Sequence, residues 1–151
     1  MKVLVAYAVD PEFTPWRRLR KFQEIAAGDF AIQRTEIGRA TVDFVVSGMG
    51  PAHAARAMAA VDLGAYAVCI ASGFAGSLRP ELGVGDIVIP RGVRSDGAGE
   101  LVSCDAGLVN EAASGGGKAI EVMVSSARVA SSVAEKNERV LSRLGVRQRP
   151  R

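Results

Sequence analysis

Histidine, cysteine and aromatic residues are scarce in this sequence of 151 residues, which has one histidine, two cysteines and 5% aromatics. A zinc site of the usual His and Cys ligands is almost excluded, and a Ser-His-Asp triad would have to use His53 as its base. Cys69 and Cys104 form no Cys-x-x-Cys pair. Cys69 lies in an apolar run, so we expect a reduced thiol packed in the core, and no metal site.

Long apolar runs are also absent. None approaches the roughly 18 residues that a membrane-spanning helix needs. The short apolar start at residues 1–7 is followed by the acidic residues Asp10 and Glu12 instead of a signal-peptide cleavage site. With 48% hydrophobic and 23% charged residues, the composition predicts one globular domain over residues 1–151, in the cytoplasm and without a membrane partner.

The net charge is small, +3, but basic residues gather near the C-terminus. Such a run can bind nucleic acid or phosphate, or it can form a solvated helix end followed by a frayed terminus. No aromatic residue interleaves with the run to stack on bases, so we expect no nucleic-acid partner. The residues concerned are Arg139, Arg143, Arg147, Arg149 and Arg151.

Hydrophobic periodicity predicts alternating strands and helices, and therefore a layered α/β sheet. A first helix is expected to open at Thr14 and Pro15, which suit a cap and a first turn, and to end at residues 26–29. The continuous apolar run from Val68 to Ala71 is typical of a central strand buried on both faces. Core-sheet strands are expected near residues 2–7, 41–47, 67–72 and 84–90, with further strands at 30–36 and 119–124 and further helices at 51–63 and 131–144.

Three polar or glycine-rich turns follow predicted strands, at residues 8–12, 48–50 and 72–77. Ligands of α/β sheets bind beyond the carboxyl ends of the strands, so these turns mark the candidate site. Glycines there let backbone N–H groups approach a sugar or an anion. The turn at residues 48–50 is not a full Gly-x-Gly-x-x-Gly fingerprint, because His53 stands at the third glycine position. A generic nucleotide-binding module is therefore disfavoured.

Two blocks of the sequence resemble the nucleoside phosphorylase and nucleosidase family. SGMGPAHAA at residues 47–55 is similar to that family's Gly-x-Gly helix start. ASGFAGSL at residues 71–78, followed by LGVGDIVI at residues 82–89, resembles its Thr/Ser-Gly-x-Ala-Gly-x-Leu and x-Val-Gly-Asp-Ile-Val stretches. The resemblance covers nearly the whole chain, most weakly at residues 94–117. It implies a three-layer α/β/α phosphorylase-like fold with a mostly parallel mixed sheet.

The resemblance also implies cleavage of the N-glycosidic bond of a purine nucleoside, by water in a nucleosidase or by phosphate as co-substrate in a phosphorylase. Glu12 falls where nucleosidases place the carboxylate that activates water, and Asp10 is the weaker alternative. A carboxylate beyond a strand end suits a general base that acts on an oxocarbenium-like ribose. No other cofactor is implied. The residues expected to bind the nucleoside are Gly50, Ser72, Gly73, Phe74, Ala75 and Val129.

Several positions depart from the family's pattern. Phe74 replaces a serine that helps to hold the water in many nucleosidases, and Val129 stands near the position of an aromatic residue that stacks on the base. Ala71 replaces an arginine that phosphorylases use for phosphate, which favours hydrolysis. The family's Met-Glu pair for the ribose and its Ser-Asp pair for the purine have no counterpart before Arg151. The fold is therefore expected to be truncated at its C-terminus.

These departures lead to two competing functions. The chain is either a nucleosidase or phosphorylase, or a non-catalytic, truncated homologue that binds a nucleoside without cleaving it. Because general acid help is worth about 10²–10⁴-fold, we expect this chain alone to cleave nucleosides very slowly or not at all. A shortened chain would leave apolar surface exposed, and such patches are usually covered, so a homodimer is expected.

Overall fold

The computed structural model describes residues 1–95 and 99–125. The chain divides into two compact units, Met1–Ala75 and Gly76–Arg151. The first unit contains a five-stranded sheet and two α-helices, and the described part of the second contains two small sheets and one helix. The helix expected at residues 131–144 lies outside the described residues. That residues 1–151 form a single domain stays a prediction.

Helices separate groups of strands along the described part of the chain. The elements of the first unit are β1 (Lys2–Tyr7), α1 (Asp10–Leu19), β2 (Gln23–Ala27), β3 (Phe30–Ile37), β4 (Ala40–Val46), α2 (Pro51–Ala59), a short 3-10 helix (Leu63–Ala65) and β5 (Val68–Ala71). Those of the second unit are β6 (Val88–Pro90), β7 (Gly92–Ser95), β8 (Leu101–Ser103), α3 (Ala106–Ser114), β9 (Lys118–Ile120) and β10 (Met123–Ser125).

The sheet of the first unit has the strand order β2-β3-β4-β1-β5. Strand β1 lies between β4 and β5 and is parallel to both. Strands β2, β3 and β4 pair in antiparallel fashion, so the sheet is mixed, as the resemblance to the family implies. Because β1, β4 and β5 run in the same direction, the segments that follow them leave the sheet at one edge.

The two helices of this unit cover opposite faces of the sheet. On one face Val3, Val5 and Tyr7 of β1 pack against Phe13 of α1. The intervening residues of β1 point the other way, where Leu4 belongs to the cluster that includes Ala57 of α2. This alternation of side chains along a strand produces the three-layer α/β/α arrangement, and it confirms the predicted fold class.

The first helix was predicted with the wrong bounds. It begins at Asp10 rather than Thr14 and ends at Leu19, and the segment expected to form its last turns is β2. Gly28 has φ +58° and, with Asp29, makes a two-residue turn between β2 and β3. A Gly-Asp pair between two apolar runs is a hairpin signal, and here it outweighs the helix-like spacing of apolar residues.

The prediction that residues 68–71 form a central, buried strand is also wrong. Strand β5 lies at the edge of the five-stranded sheet, and within residues 1–95 and 99–125 only β1 pairs with it. Ile70 is 45% exposed, and Cys69, expected in the core, is exposed as well. An apolar run shows that a strand forms, but its burial depends on neighbouring strands that the run itself does not specify.

In the second unit β6 pairs with β9, rather than joining the core sheet as residues 84–90 were expected to do. The single strand expected at residues 119–124 is two strands, since β9 pairs with β6 and β10 pairs with β7. Before β6, Asp86 accepts hydrogen bonds from Nζ of Lys118 at 2.6 Å and from the N–H of Gly83 at 2.8 Å. These bonds lower the pKa of Asp86 and fasten the loop to β9.

Candidate functional site

The carboxylate of Glu12 lies beyond the carboxyl end of β1, in the first turn of α1. Its Oε2 accepts hydrogen bonds from the backbone N–H groups of Ala8 at 2.9 Å and Val9 at 3.1 Å. Val9 is the N-cap of α1 and Glu12 is its third residue, so the carboxylate takes the glutamate position of a capping box. Val9 has no side-chain acceptor, and the helix start therefore depends on Glu12.

The other oxygen of this carboxylate contacts the loop after β5. Oε1 of Glu12 accepts a hydrogen bond of 2.8 Å from the N–H of Phe74. A Cβ atom on Gly73 would stand 2.5 Å from the same oxygen, well inside van der Waals contact. Only glycine leaves room for the carboxylate at this distance. Glu12 thus connects the segments that follow two neighbouring parallel strands.

Backbone hydrogen bonds bring three strand ends together. The N–H of Ser47, just after β4, donates to the carbonyl oxygen of Tyr7 at 2.9 Å. The N–H of Ser72, just after β5, donates to the carbonyl oxygen of Ala6 at 2.9 Å. Ser47 is buried, and its hydroxyl lies 3.2 Å from the Tyr7 carbonyl oxygen, to which it donates. The candidate site is therefore built on a rigid edge of the sheet.

Two glycines shape the turn between β4 and α2. Gly48 and Gly50 have φ angles of +91° and +92°. Gly50 is the N-cap of α2, and its ψ of 162° places it in a region that is essentially restricted to glycine. The ring of His53 packs against Gly48, where an added Cβ would lie 3.1 Å from Nδ1. This turn needs glycine for its backbone as well as for space.

The predicted site residues are placed as follows. Glu12 contacts Gly73 and Phe74 directly, and Ser72 and Ala75 belong to the same exposed loop. Gly50 follows β4 and lies at the same edge of the sheet. The ring of Phe74 is 78% exposed. Val129 lies outside the described residues.

Asp10, the weaker candidate for the base, is engaged elsewhere. Its carboxylate forms an ion pair of 2.9 Å with Arg17, between two exposed side chains of α1. Sequence reasoning missed the backbone donors of Ala8 and Val9 because it began the helix at Thr14. The signal was present in Pro11 and Glu12, since proline and acidic residues favour the first turn of a helix.

A cavity of about 290 Å³ lies on the α1 face of the sheet in the first unit. Trp16 of α1 borders it, and Ser72, the residue before Gly73, lines one part of it. Most of its walls are apolar, so it suits apolar rather than charged groups. The lining residues are Val3, Val5, Tyr7, Trp16, Ile37, Val42, Phe44, Ile70 and Ser72.

Two further properties concern only the part of the chain that the structure describes. No three His, Cys, Asp or Glu side chains gather there to hold a metal ion. No helix there is both long and apolar enough to cross a membrane.

The sequence matches the Phosphorylase superfamily over residues 3–147, and the chain belongs to that family. No curated protein matches the sequence significantly. Among solved structures, the chain is similar to 5′-methylthioadenosine/S-adenosylhomocysteine nucleosidase from Helicobacter pylori with butyl-thio-DADMe-Immucillin-A. That likeness has a TM-score of 0.80 and 18% identity, and it covers 94% of this chain and 71% of the other.

Two more solved structures show the same fold. The nucleosidase of the same name from Neisseria meningitidis, in complex with methylthio-immucillin-A, has a TM-score of 0.78 and 23% identity over 91% of this chain and 71% of its own. Futalosine hydrolase from Helicobacter pylori has a TM-score of 0.77 and 18% identity over 94% of this chain and 70% of its own. These likenesses support the fold that the sequence blocks implied.

Proposed function

We propose that this protein binds a purine nucleoside beyond the carboxyl ends of β1, β4 and β5 and hydrolyses its N-glycosidic bond, with Glu12 as general base. The observation that carries the proposal is the position of the Glu12 carboxylate, beyond β1 and against Gly73 and Phe74 of the next strand's loop. Membership of the Phosphorylase superfamily supports it. So do the similar solved structures, which are named as nucleosidases and a hydrolase.

The proposed reaction needs one base beneath the sugar. Glu12 takes a proton from a water molecule, and the water oxygen forms a bond to C1′ of the ribose. The bond between C1′ and the nucleobase breaks. Its electron pair leaves with the nucleobase, which takes a proton from solvent. The proton on Glu12 then returns to solvent, so the products are the free sugar, with its 5′ substituent unchanged, and the free nucleobase. Glu12 is half-buried and within reach of both solvent and the loop after β5.

Water is the proposed co-substrate, and phosphate the alternative. By the resemblance to the family, Ala71 stands where phosphorylases use an arginine for phosphate. Two of the similar structures are 5′-methylthioadenosine/S-adenosylhomocysteine nucleosidases, so 5′-thioadenosines are the proposed substrate class. Exposed Met49 and Phe74 flank the candidate site and suit an apolar or aromatic ligand.

A homodimer in the cytoplasm is proposed for the working protein. Apolar side chains are exposed at the edge strand and beside it, among them Ile70 and Phe74. Covering such surface with a second copy removes it from water. Sedimentation velocity should therefore give a dimer at micromolar concentration, and a monomer throughout that range would contradict the proposal.

The test is release of adenine from 5′-methylthioadenosine, followed with and without phosphate. We expect slow release that does not require phosphate and that Glu12→Gln abolishes. Release by both proteins alike would show that Glu12 is not the base, and Asp10→Asn would then be tested. Binding of the nucleoside in calorimetry without any release would instead support the second candidate, a non-catalytic nucleoside-binding homologue.

A further inference from the structure

We propose that Gly73 is a positioning residue, which keeps Oε1 of Glu12 as the single oxygen of that carboxylate available for proton transfer. The inference rests on the proposed function, in which Glu12 is the base. It goes further by assigning different tasks to the two oxygens and by naming the residue that determines where the reacting oxygen stands. The observations that carry it are the hydrogen bonds to each oxygen and the space at Gly73.

The two oxygens of the Glu12 carboxylate are occupied unequally. Oε2 accepts two backbone hydrogen bonds, from Ala8 and Val9. Oε1 accepts one, from Phe74. A carboxylate has about four lone-pair sites, two on each oxygen. Oε2 is therefore saturated by the start of α1, while Oε1 retains one free site for the proton of a water molecule.

Gly73 determines how closely Oε1 approaches the loop after β5. A Cβ atom there would lie 2.5 Å from Oε1, 2.8 Å from Cδ and 3.0 Å from Oε2 of Glu12, and these are its three nearest atoms. All three belong to the end of one flexible side chain. An alanine at this position would therefore displace the carboxylate, and the surrounding backbone could remain in place.

This geometry makes Gly73→Ala an informative variant. Gly73 is not among the glycines with a positive φ angle, so alanine would not meet left-handed backbone strain there. We expect kcat for 5′-methylthioadenosine to fall by about 100-fold, the loss that follows a misplacement of about 1 Å. KM should change much less than kcat, because the three atoms nearest to the added methyl group all belong to Glu12.

Gly64→Ala is the matched control. Gly64 lies before β5, at the opposite edge of the sheet, and an added Cβ would meet only Oδ1 of Asp62, at 3.4 Å. This variant should keep the kcat of the unmodified protein. A comparable fall in both variants would overturn the proposal, because the loss at Gly73 would then be a general effect of replacing an exposed glycine by alanine.

Gly73→Ala made in a Glu12→Asp variant distinguishes a positioning role of Gly73 from a merely structural one. Glu12→Asp withdraws the carboxylate from Gly73 by one methylene group. Adding Gly73→Ala to that variant should change its residual kcat by less than about twofold, since the added methyl no longer meets the carboxylate. A further 100-fold loss in this background would show that Gly73 acts independently of Glu12 and would overturn the proposal.

An NMR measurement keeps the inference testable if the protein has no nucleosidase activity. Amide protons that donate to a carboxylate have characteristic chemical shifts, so Glu12→Gln should move the resonances of Ala8, Val9 and Phe74. Gly73→Ala should move the resonances of Ala8 and Val9, which are distant from residue 73 in the sequence, and Gly64→Ala should leave them in place. Absence of cleavage by the unmodified protein would refute the proposed function alone. Unchanged Ala8 and Val9 resonances in Gly73→Ala would refute the positioning by Gly73.

Discussion

Arg34 donates two hydrogen bonds to the carboxylate of Asp43, from Nε at 2.6 Å and from Nη2 at 2.7 Å. The two residues face each other in register on β3 and β4, and the Asp43 side chain is 0% exposed. The hydroxyl of Tyr66 donates a third bond of 2.7 Å, and Nζ of Lys2 lies 3.5 Å away. This network around the buried Asp43 carboxylate fastens β3, β4, β1 and the segment before β5 to one another, on the α2 face of the sheet.

Asp43→Asn should destabilise the protein. Removing the negative charge leaves Arg34 and Lys2 without their shared partner, and breaking a buried ion pair costs about 3–5 kcal/mol. Because Arg34 is still 30% exposed, we expect a smaller loss of about 2–3 kcal/mol in the free energy of unfolding at neutral pH. Urea unfolding measures it. A loss below about 0.5 kcal/mol, typical of a surface pair, would show that the network contributes little.

The Asp43 carboxylate should make the free energy of unfolding decrease at acidic pH. Burial alone raises the pKa of Asp43, but the hydrogen bonds from Arg34 and Tyr66 outweigh it and lower the pKa below its ordinary value. The stabilisation is therefore complete above the unfolded pKa of about 3.9 and is lost as the pH falls through the lower folded value. Between neutral pH and a pH below about 4, the free energy of unfolding should fall more steeply for the unmodified protein than for Asp43→Asn. Parallel curves would contradict this prediction.

The hydroxyl of Tyr66 should ionise only at high pH. Burial raises its pKa, and its hydrogen bond to Asp43 raises it further, to about 12. A raised folded pKa means that its stabilisation is complete below the ordinary value of about 10 and disappears as the pH rises through 12. The difference in tyrosinate absorbance between the unmodified protein and Tyr66→Phe gives the titration of this residue. A midpoint near 10 would contradict the buried hydrogen bond.

Glu12 should stabilise α1 as well as serve the proposed chemistry. Glu12→Ala removes the acceptor of the Ala8 and Val9 N–H groups, and loss of a helix cap costs about 0.5–2 kcal/mol. Glu12→Gln retains one side-chain oxygen and should cost less. Thermal denaturation of the two variants measures the difference. Equal and negligible losses would mean that solvent satisfies these N–H groups equally well.

Gly48 and Gly50 form a matched pair for separating backbone strain from crowding. Gly50→Ala places a side chain in open space, so its cost is the conformational strain alone, about 1–3 kcal/mol. Gly48→Ala has similar strain and also crowds the ring of His53, so we expect it to be the more destabilising. Adding His53→Ala to Gly48→Ala should recover only the part of the stability loss by which Gly48→Ala exceeds Gly50→Ala. No recovery in chemical denaturation would show that crowding by His53 is not the cause.

Much of the site could be predicted from the sequence because its signals are local. Residues 72–77 follow a strand, Gly50 precedes a helix, and Glu12 comes shortly after the first strand. Each of these features depends on a few neighbouring residues. The parallel direction of β1, β4 and β5, which the alternation of strands and helices favours, then brings the three turns to one edge. The roles of these residues as base and ligand contacts stay predictions.

Sequence by itself determined the α/β class, the strands β1, β3, β4 and β5, and the glycine turn that starts α2, because propensity and periodicity act within a few residues. Only the tertiary structure decided that β5 is an exposed edge strand, that residues 23–27 pair with β3, and that Arg34, Asp43 and Tyr66 meet. It also decided that Gly73 leaves room for the Glu12 carboxylate. These features depend on which distant segments become neighbours, and burial, ion pairs and close contacts between such segments arise only when the chain has folded.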